Sequence, residues 1–277
     1  MTNRISILEA ITEAATGLSS STPRLDCQLI LANLLDRNRS WLIAHSDEYL
    51  TDSQYSAFQS DVVRCEQGTP VAYILGQQEF WSLPFEVNNA VLIPRPETEL
   101  LVEEVLSLHP QHPINIADLG TGTGAIAISL ALEKPDDTIF AVDKSLSAIR
   151  VASANRTNLG ATNVRLCVAD WLAGFSQESL DVIVTNPPYI AEGDKHLPDL
   201  QYEPAEALVS GHDGLDDIRQ LITQGLLHLK PGGMIAMEHG YDQQSQVADL
   251  MLAAGYRNIV TKQDLAGQPR ITLAERP

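Results

Sequence analysis

Apolar residues in the first 75 positions recur at the spacing of α-helices. Thr22-Pro23 is typical of a helix start, and Thr51-Asp52-Ser53-Gln54 matches a capping box. Residues 1–75 are therefore predicted to form a small helical domain with a structural or partner-binding role, because they contain no cluster of catalytic side chains. The face of the first predicted helix carries Ile7, Leu8, Ile11, Ala15 and Leu18.

The pattern changes over residues 76–93. Aromatic and β-branched residues alternate there with turn residues, among them Pro84 and Asn88-Asn89. This composition predicts a β-hairpin that links the helical domain to the rest of the chain.

Residues 94–277 alternate between short β-branched runs and amphipathic helices. Alternation of this kind is typical of a doubly wound α/β fold, in which helices cover both faces of a mostly parallel sheet. We predict a seven-stranded sheet. The strands are expected at Ile114–Leu119, Thr138–Val142, Asn163–Val168, Leu180–Thr185, Gly233–Glu238, Asn258–Lys262 and Arg270–Ala274. The helices are expected at Ala125–Glu133, Leu146–Leu159, Asp216–Leu229 and Gln243–Ala254.

Composition narrows the class of protein. The 277 residues are 44% hydrophobic, yet no apolar run approaches the ~18 residues of a membrane span, and the N-terminus lacks a signal-peptide pattern. Cys27, Cys65 and Cys167 are scattered, which favours a reducing cytoplasm, and the dispersed histidines suggest no metal site. The net charge of −18 argues against extensive binding of a nucleic-acid backbone.

A glycine-rich turn follows the first predicted strand of the sheet. Asp118-Leu119-Gly120-Thr121-Gly122-Thr123-Gly124 contains three glycines in five residues, which allow a tight turn against a bulky ligand. We expect a nucleotide-like ligand at this turn. The segment also satisfies the dinucleotide pattern through Gly120, Gly122 and Ala125, so the turn alone does not choose the ligand.

Polar residues also follow the next two strands. Asp143 ends the second strand at the spacing where an acidic side chain accepts from ribose hydroxyls. After the third strand, Asp170 is placed to accept from an exocyclic amine, and Trp171 to cover an adenine ring. The alternative is that these residues have only structural roles, since aspartate often ends a strand and tryptophan often fills a gap in the packing. The carboxyl ends of parallel strands share one edge of the sheet, which favours a common site.

Asn186-Pro187-Pro188-Tyr189 follows the fourth strand. The two prolines make the segment stiff and extended, so the Asn186 side-chain oxygen and the Pro187 carbonyl are acceptors with fixed directions. Tyr189 adds a flat face, and together these groups suit a planar NH2 group. An ordinary proline-rich turn is the alternative. Arg95, between two prolines, is a further site candidate.

These motifs resemble the class I S-adenosylmethionine-dependent methyltransferases that modify planar nitrogen. A closer resemblance, over nearly the whole chain, is to the peptide chain release factor glutamine-N(5) methyltransferases. The closer resemblance is carried by Phe80-Trp81, Pro94-Arg95-Pro96-Glu97-Thr98-Glu99, Asn186-Pro187-Pro188-Tyr189-Ile190, Glu203-Pro204 with Ala207-Leu208, and Asp213-Gly214-Leu215.

The resemblance implies methyl transfer from S-adenosylmethionine to the glutamine of the Gly-Gly-Gln motif in class 1 release factors. The residues implied for the cofactor are Gly120, Thr121, Gly122, Thr123, Gly124, Asp143, Asp170, Trp171 and Asn186. Those implied for the substrate are Phe80, Asn186, Pro187, Pro188 and Tyr189, of which Asn186, Pro187 and Tyr189 are expected to be catalytic. No general base is evident. We interpret residues 191–212 as a substrate-side lid shaped by Glu203 and Pro204.

Three other functions remain compatible with parts of the pattern. An N-methyltransferase for an exocyclic base amine would use the same Asn186–Tyr189 segment, although the acidic charge disfavours it. An NAD-dependent oxidoreductase would leave that segment without a role. A non-catalytic binding module on a methyltransferase fold would not need both Gly120–Gly124 and Asn186–Tyr189 intact.

Overall fold

The computed structural model describes residues 4–108 and 112–277 of the chain. Two compact units are present, Met1–Gln77 and Gln78–Pro277. Residues 1–3 and 109–111, which fall inside the predicted domains, lie outside the described residues. No described helix has the length and apolar character that crossing a membrane requires.

The first unit is helical, as the periodicity predicts. Its core contains Cys27, Ile30, Leu31 and Phe58. The predicted capping box at Thr51 forms with Gln54, whereas Thr22 bonds the Asp26 side chain instead of capping its helix. The helices are α1 (Ile7–Ala15), α2 (Pro23–Leu34), α3 (Arg39–Ala44), α4 (Asp52–Glu66) and α5 (Val71–Leu75).

A two-stranded hairpin, β1 (Gln77–Phe80) and β2 (Leu83–Glu86), lies inside the segment where the sequence predicts one. The two residues that join the strands, Trp81 and Ser82, both have positive φ angles, 53° and 57°, the pattern of a type I′ turn. Trp81 is held there because its backbone N–H donates to Glu99 Oε1 over 2.7 Å. The hairpin is thereby fixed to the start of the next helix.

The predicted seven-stranded, mostly parallel sheet is confirmed. In space its strands follow the order β5-β4-β3-β6-β7-β9-β8; β9 runs antiparallel to both of its neighbours. The strands are β3 (Asn115–Leu119), β4 (Thr138–Asp143), β5 (Val164–Val168), β6 (Leu180–Thr185), β7 (Leu229–Glu238), β8 (Arg257–Gln263) and β9 (Pro269–Glu275). The helices are α6 (Glu99–Leu106), α7 (Ala125–Glu133), α8 (Leu146–Leu159), α9 (Asp216–His228) and α10 (Gln244–Ala254).

Strand β7 differs from the prediction because it begins at Leu229 rather than at Gly233. Leu229 pairs with Leu180, and the register then shifts so that Met234 pairs with Val182. The Pro-Gly-Gly segment is accommodated as an irregularity inside the strand, whereas the sequence suggests a turn before it.

Strands β3 to β7 are mutually parallel, so their carboxyl ends meet at one edge of the sheet. The residues at or just after these ends are Gly120, Asp143, Asp170, Asn186 and Glu238. Four of the five are predicted site residues, and Glu238 is not. The topology therefore assembles side chains that are far apart in sequence.

Candidate active site

A cavity lies at this carboxyl edge and contains most of the predicted cofactor-binding residues. Gly120, Gly122, Asp143, Asp170, Trp171, Asn186 and Pro188 line it. The remaining walls include apolar side chains and the start of α8, among them Val91, Leu92, Ser145, Ala148 and Pro204. An apolar cleft with a few convergent polar groups is the usual form of a cofactor site.

The glycine-rich turn that borders this cavity needs each glycine for a different reason. Gly120 has φ 73°, and a Cβ there would lie 3.3 Å from Cζ3 of Trp171, so the missing side chain lets the indole pack against the turn. Gly122 has φ 54° and faces open space. Gly124 has φ 82° and lies close to Ile128 of α7, so it serves packing.

The two threonines of the turn hold the turn together and are absent from the cavity wall. Thr121 Oγ1 donates to Asp118 Oδ2 over 2.6 Å, and the Thr123 hydroxyl accepts from the N–H of Ala125. Asp118 is fully buried, which raises the pKa of its carboxyl to about 7. These contacts indicate a supporting role for the threonine side chains.

Exchange of Gly122 and Gly124 for alanine is expected to separate ligand binding from packing. Gly124→Ala should destabilise the fold by about 1–3 kcal/mol, because left-handed backbone is unfavourable with a Cβ and the new atom would lie 2.8 Å from Ile128 Cδ1. Gly122→Ala has the same backbone strain without the clash. Because Gly122 lines the cavity, we expect this variant to bind the cofactor more weakly but to lose less stability than Gly124→Ala. Thermal unfolding with calorimetric titration distinguishes the two; equal melting of both variants would contradict this assignment.

Asp143 is fixed by the backbone on both sides of its carboxylate. Its Oδ2 accepts from the Gly122 N–H over 3.0 Å, and its Oδ1 accepts from the Ser145 N–H over 2.8 Å. Burial raises the pKa of Asp143, and these two donors oppose that rise. Each oxygen keeps a second lone pair, so the carboxylate can still accept from two ligand hydroxyls.

Trp171 and Asp170 border the same cavity on the β5 side. Trp171 has φ 48°, a left-handed conformation that is unusual for a residue with a bulky side chain. Its ring is in contact distance of Gly120, which places a flat apolar surface in the cavity wall. Both residues, which the sequence predicts to bind the cofactor, thus lie in the wall of this cavity.

A second cavity begins where the first one ends. Its walls include Arg95, Asn186, Pro187 and Tyr189, together with Ile190, Leu200 and Leu208. The two cavities share Leu92, Asn186 and Ala207. Asn186 therefore stands at the junction of two adjoining binding spaces. The shared wall residue Leu92 was missed because a leucine in a hairpin-like segment carries no chemical signal.

The orientation of Asn186 is set by a chain of hydrogen bonds. Its Nδ2 donates to Thr98 Oγ1 over 3.2 Å, and Thr98 Oγ1 donates to Glu238 Oε2 over 2.7 Å. The Tyr189 hydroxyl donates to the other oxygen of Glu238 over 3.3 Å. Glu238 is 1% exposed, and its burial raises the pKa of this carboxyl to about 7. Burial likewise raises the pKa of the Tyr189 hydroxyl.

Arg95 and Glu203 join the second cavity to the loop at 191–212. Arg95 Nη2 lies 2.5 Å from Glu203 Oε1, and the other Glu203 oxygen accepts from the Ile93 N–H over 3.0 Å. Glu203 is 7% exposed. The loop itself contains short 3-10 turns at Leu197–Leu200 and Ala205–Ala207. Arg95, inferred from sequence as a site candidate, is thus both a wall residue and an anchor for this loop.

Phe80 is the predicted substrate residue that the structure does not bring to either cavity. Its side chain is 1% exposed and packs edge-on against Phe85, with ring centroids 6.1 Å apart. The strand alternation of β1 turns it into the core, whereas the sequence suggested an aromatic face for the substrate. The prediction for Phe80 is therefore wrong.

No group of three or more His, Cys, Asp or Glu side chains in residues 4–108 and 112–277 is arranged to hold a metal ion. The polar groups of the site are acceptors and donors suited to an organic ligand.

Comparison with known proteins gives matches over both units. Residues 9–76 match the family described as the PrmC N-terminal domain, and residues 96–211 match the Methyltransferase small domain family. A crystal structure described as a methyltransferase from Pyrococcus furiosus, 18% identical, covers 79% of this chain and 98% of its own, with a TM-score of 0.53, which is a likeness of fold.

Closer relatives cover nearly the whole sequence. The release factor glutamine methyltransferase of Coxiella burnetii is 43% identical over 98% of this chain and 99% of its own length. That of Escherichia coli is 40% identical over 94% of this chain and 95% of its own. At this identity and coverage, the chain belongs to the release factor glutamine methyltransferase family.

Proposed function

We propose that this protein transfers a methyl group from S-adenosylmethionine to the side-chain nitrogen of the glutamine in the Gly-Gly-Gln motif of class 1 release factors. The observation that carries the proposal is the junction at Asn186, where the cavity that contains Asp143 and Trp171 meets a second cavity lined by Pro187 and Tyr189. Both reactants can reach this one side chain.

The first cavity fits the adenosine part of the cofactor. Asp143 retains two acceptor positions for ribose hydroxyls, and the Trp171 indole offers a flat surface for the adenine. Asp170 supplies a carboxylate beside it for the exocyclic amine. When bound, S-adenosylmethionine supplies an electrophilic methyl group on a sulfonium.

The second cavity fits a primary amide. An amide nitrogen is a poor nucleophile because its lone pair is delocalised into the carbonyl. Asn186 Oδ1 and the Pro187 carbonyl can each accept one hydrogen of the substrate NH2, while Tyr189 packs beside its plane. This leaves the nitrogen lone pair directed at the methyl group, so positioning is the main catalytic contribution.

The reaction would balance as a displacement at carbon. The bound cofactor would supply the methyl group to the amide nitrogen and leave as the neutral thioether with the electron pair of the broken bond, and the nitrogen would lose one proton to solvent. Asn186 and Pro187 would hold the nitrogen in line during this step.

The charge of the chain bears on the class of substrate. With 18 basic and 36 acidic residues, the protein is poorly suited to grip a polyanion, which favours a protein substrate over nucleic acid. Labelled cofactor should give methyl transfer to purified release factor. Transfer to tRNA, rRNA or DNA in its place would support the base-amine alternative and overturn the proposal.

The helical unit at residues 1–75 is proposed to recognise the release factor. It has a core of its own, and the core clusters of the second unit contain only residues between Phe80 and Ala274. Residues 4–75 include no catalytic cluster, which supports a partner-binding role. Residues 191–212 are proposed to cover the substrate, anchored through Glu203.

Deletion of residues 1–75 is expected to lower methylation of the intact release factor by about tenfold or more, because the enzyme then loses part of its binding surface for the partner. Cofactor affinity should stay close to that of the full chain. A short Gly-Gly-Gln peptide serves as the matched substrate, since it lacks the rest of the release-factor surface that the helical unit is proposed to bind. Equal turnover of intact release factor by both enzymes would refute the recognition role.

A further inference from the structure

Of the five residues named at the carboxyl ends of β3 to β7, Glu238 is the one to which the proposed reaction gives no task. It ends β7, its side chain is buried, and it accepts from Thr98 over 2.7 Å and from Tyr189 over 3.3 Å. Thr98 in turn contacts Asn186. One carboxylate thus holds, directly or through one hydroxyl, two side chains that face the proposed substrate.

The direction of each hydrogen bond in this chain follows from simple counting. An ionised carboxylate only accepts, so the single hydroxyl hydrogen of Thr98 must point to Glu238. The Thr98 oxygen can then only accept from its other neighbour, and that neighbour is the NH2 group of Asn186, 3.2 Å away. The nitrogen of the Asn186 amide is therefore fixed toward Thr98, and its oxygen faces the cavity as a hydrogen-bond acceptor.

Among the described residues Asn186 Oδ1 has no hydrogen-bond partner, although the side chain lines both cavities. A flipped amide would present two N–H groups to the cavity, and these would repel the NH2 of a glutamine. The flipped form would instead donate to a carbonyl or carboxylate oxygen. The choice between the two orientations therefore decides which functional group is held against the methyl donor.

We infer that Glu238, acting through Thr98, is a positioning residue that turns the Asn186 amide oxygen toward the substrate nitrogen and so selects a primary amide over a carboxylate. This inference rests on the proposed function. Glu238 touches neither proposed reactant, and its effect on the reaction passes through Thr98, Tyr189 and Asn186.

The charges around Glu238 add a pH dependence. Glu97 lies near it in the 3-10 turn Pro96–Thr98 that precedes α6, and Arg270 faces it from β9. The neighbouring His239 ring bonds Thr272 and the Gly240 carbonyl instead. Burial raises the pKa of Glu238 to about 7, against the lowering effect of Thr98, Arg270 and Tyr189. Below this pH the protonated carboxyl can donate to Thr98, and the hydrogen bonds from Asn186 through Thr98 to Glu238 no longer have a single direction. The rate of methyl transfer should therefore rise with pH through about 7.

The test uses the full-length enzyme with release factor and labelled S-adenosylmethionine, and it measures the single-turnover rate constant and the Kd of the cofactor. Thr98→Val removes the bridging hydroxyl at nearly constant volume, and Thr98→Ser restores it. We expect Thr98→Val to lower the rate by on the order of tenfold to a hundredfold, and Thr98→Ser to recover most of it, with cofactor Kd within about twofold of wild type. Glu238→Gln should lower the rate and remove the inflection near pH 7.

A wild-type rate in Thr98→Val, or an inflection that persists in Glu238→Gln, would overturn the inference. Circular dichroism melts establish that each variant is folded, and if Glu238→Gln does not fold, the Thr98 pair decides alone. Failure of the wild-type enzyme to methylate the release-factor glutamine would instead defeat the proposed function, so the two failures are distinguishable.

Discussion

Replacing Asn186 with alanine is expected to lower the rate of methyl transfer by about a hundredfold, since misplacement of a reacting group by roughly 1 Å has a cost of that order. The variant loses one of the two acceptors that align the substrate nitrogen, and the Pro187 carbonyl alone cannot fix its direction. The fold should survive because Asn186 lies at the end of β6, outside the buried core of the sheet. Single-turnover kinetics with release factor and a parallel thermal melt provide the measurement.

Asn186→Asp is the sharper control for this prediction. It keeps an acceptor of the same size but puts an oxygen where the Nδ2 group now donates to Thr98. It also adds a charge beside a cationic sulfonium, which favours the bound ground state without helping the transition state. We expect retained cofactor binding with reduced turnover. Near-normal methylation by Asn186→Ala would refute the role given to this residue.

Asp143→Ala is expected to weaken binding of S-adenosylmethionine by about 1–3 kcal/mol, roughly 5- to 150-fold in Kd, because it removes charge-assisted hydrogen bonds to the ribose. Two backbone N–H groups, those of Gly122 and Ser145, also lose their acceptor, so the glycine turn becomes less well ordered. Isothermal titration calorimetry with S-adenosylmethionine and with its demethylated product measures the loss.

Asp136→Ala provides the matched control for Asp143→Ala. Asp136 is exposed and precedes the amino end of β4, whereas Asp143 ends the same strand at the site. Both variants remove one negative charge, so an equal change in Kd would mean that net charge, and not the ribose contact, explains the effect. Tight binding of NAD without binding of S-adenosylmethionine would overturn the cofactor assignment itself.

The sheet could be predicted from sequence because its strands are short β-branched runs separated by amphipathic helices, and burial on both faces leaves such runs few other structures. The local departures from this prediction are caused by tertiary contacts. Leu229 joins β7 ahead of Pro231-Gly232-Gly233 because the neighbouring Leu180 offers it a partner. The Trp81-Ser82 turn lacks the usual glycine or asparagine and is held in place by Glu99.

The sharing of one cavity by most of the proposed cofactor residues could also be predicted, since they follow strand ends and the topology of a parallel sheet brings those ends together. Glu238 could not, because its partner Thr98 is 140 positions away and a glutamate at a strand end has no distinguishing pattern. Phe80 failed for a related reason: an aromatic residue in a strand faces either the core or the surface, and the short β1 does not fix which.

The most direct test of the central claim is to locate the added methyl group. Release factor is incubated with the wild-type enzyme and S-adenosylmethionine, digested, and sequenced by mass spectrometry, with Asn186→Ala as the parallel reaction. We predict one methyl group on the side-chain nitrogen of the Gly-Gly-Gln glutamine in the wild-type reaction and almost none in the variant reaction. A methyl group on any other residue, or equal methylation by the two enzymes, would contradict the proposal that Asn186 presents a glutamine amide to the methyl donor.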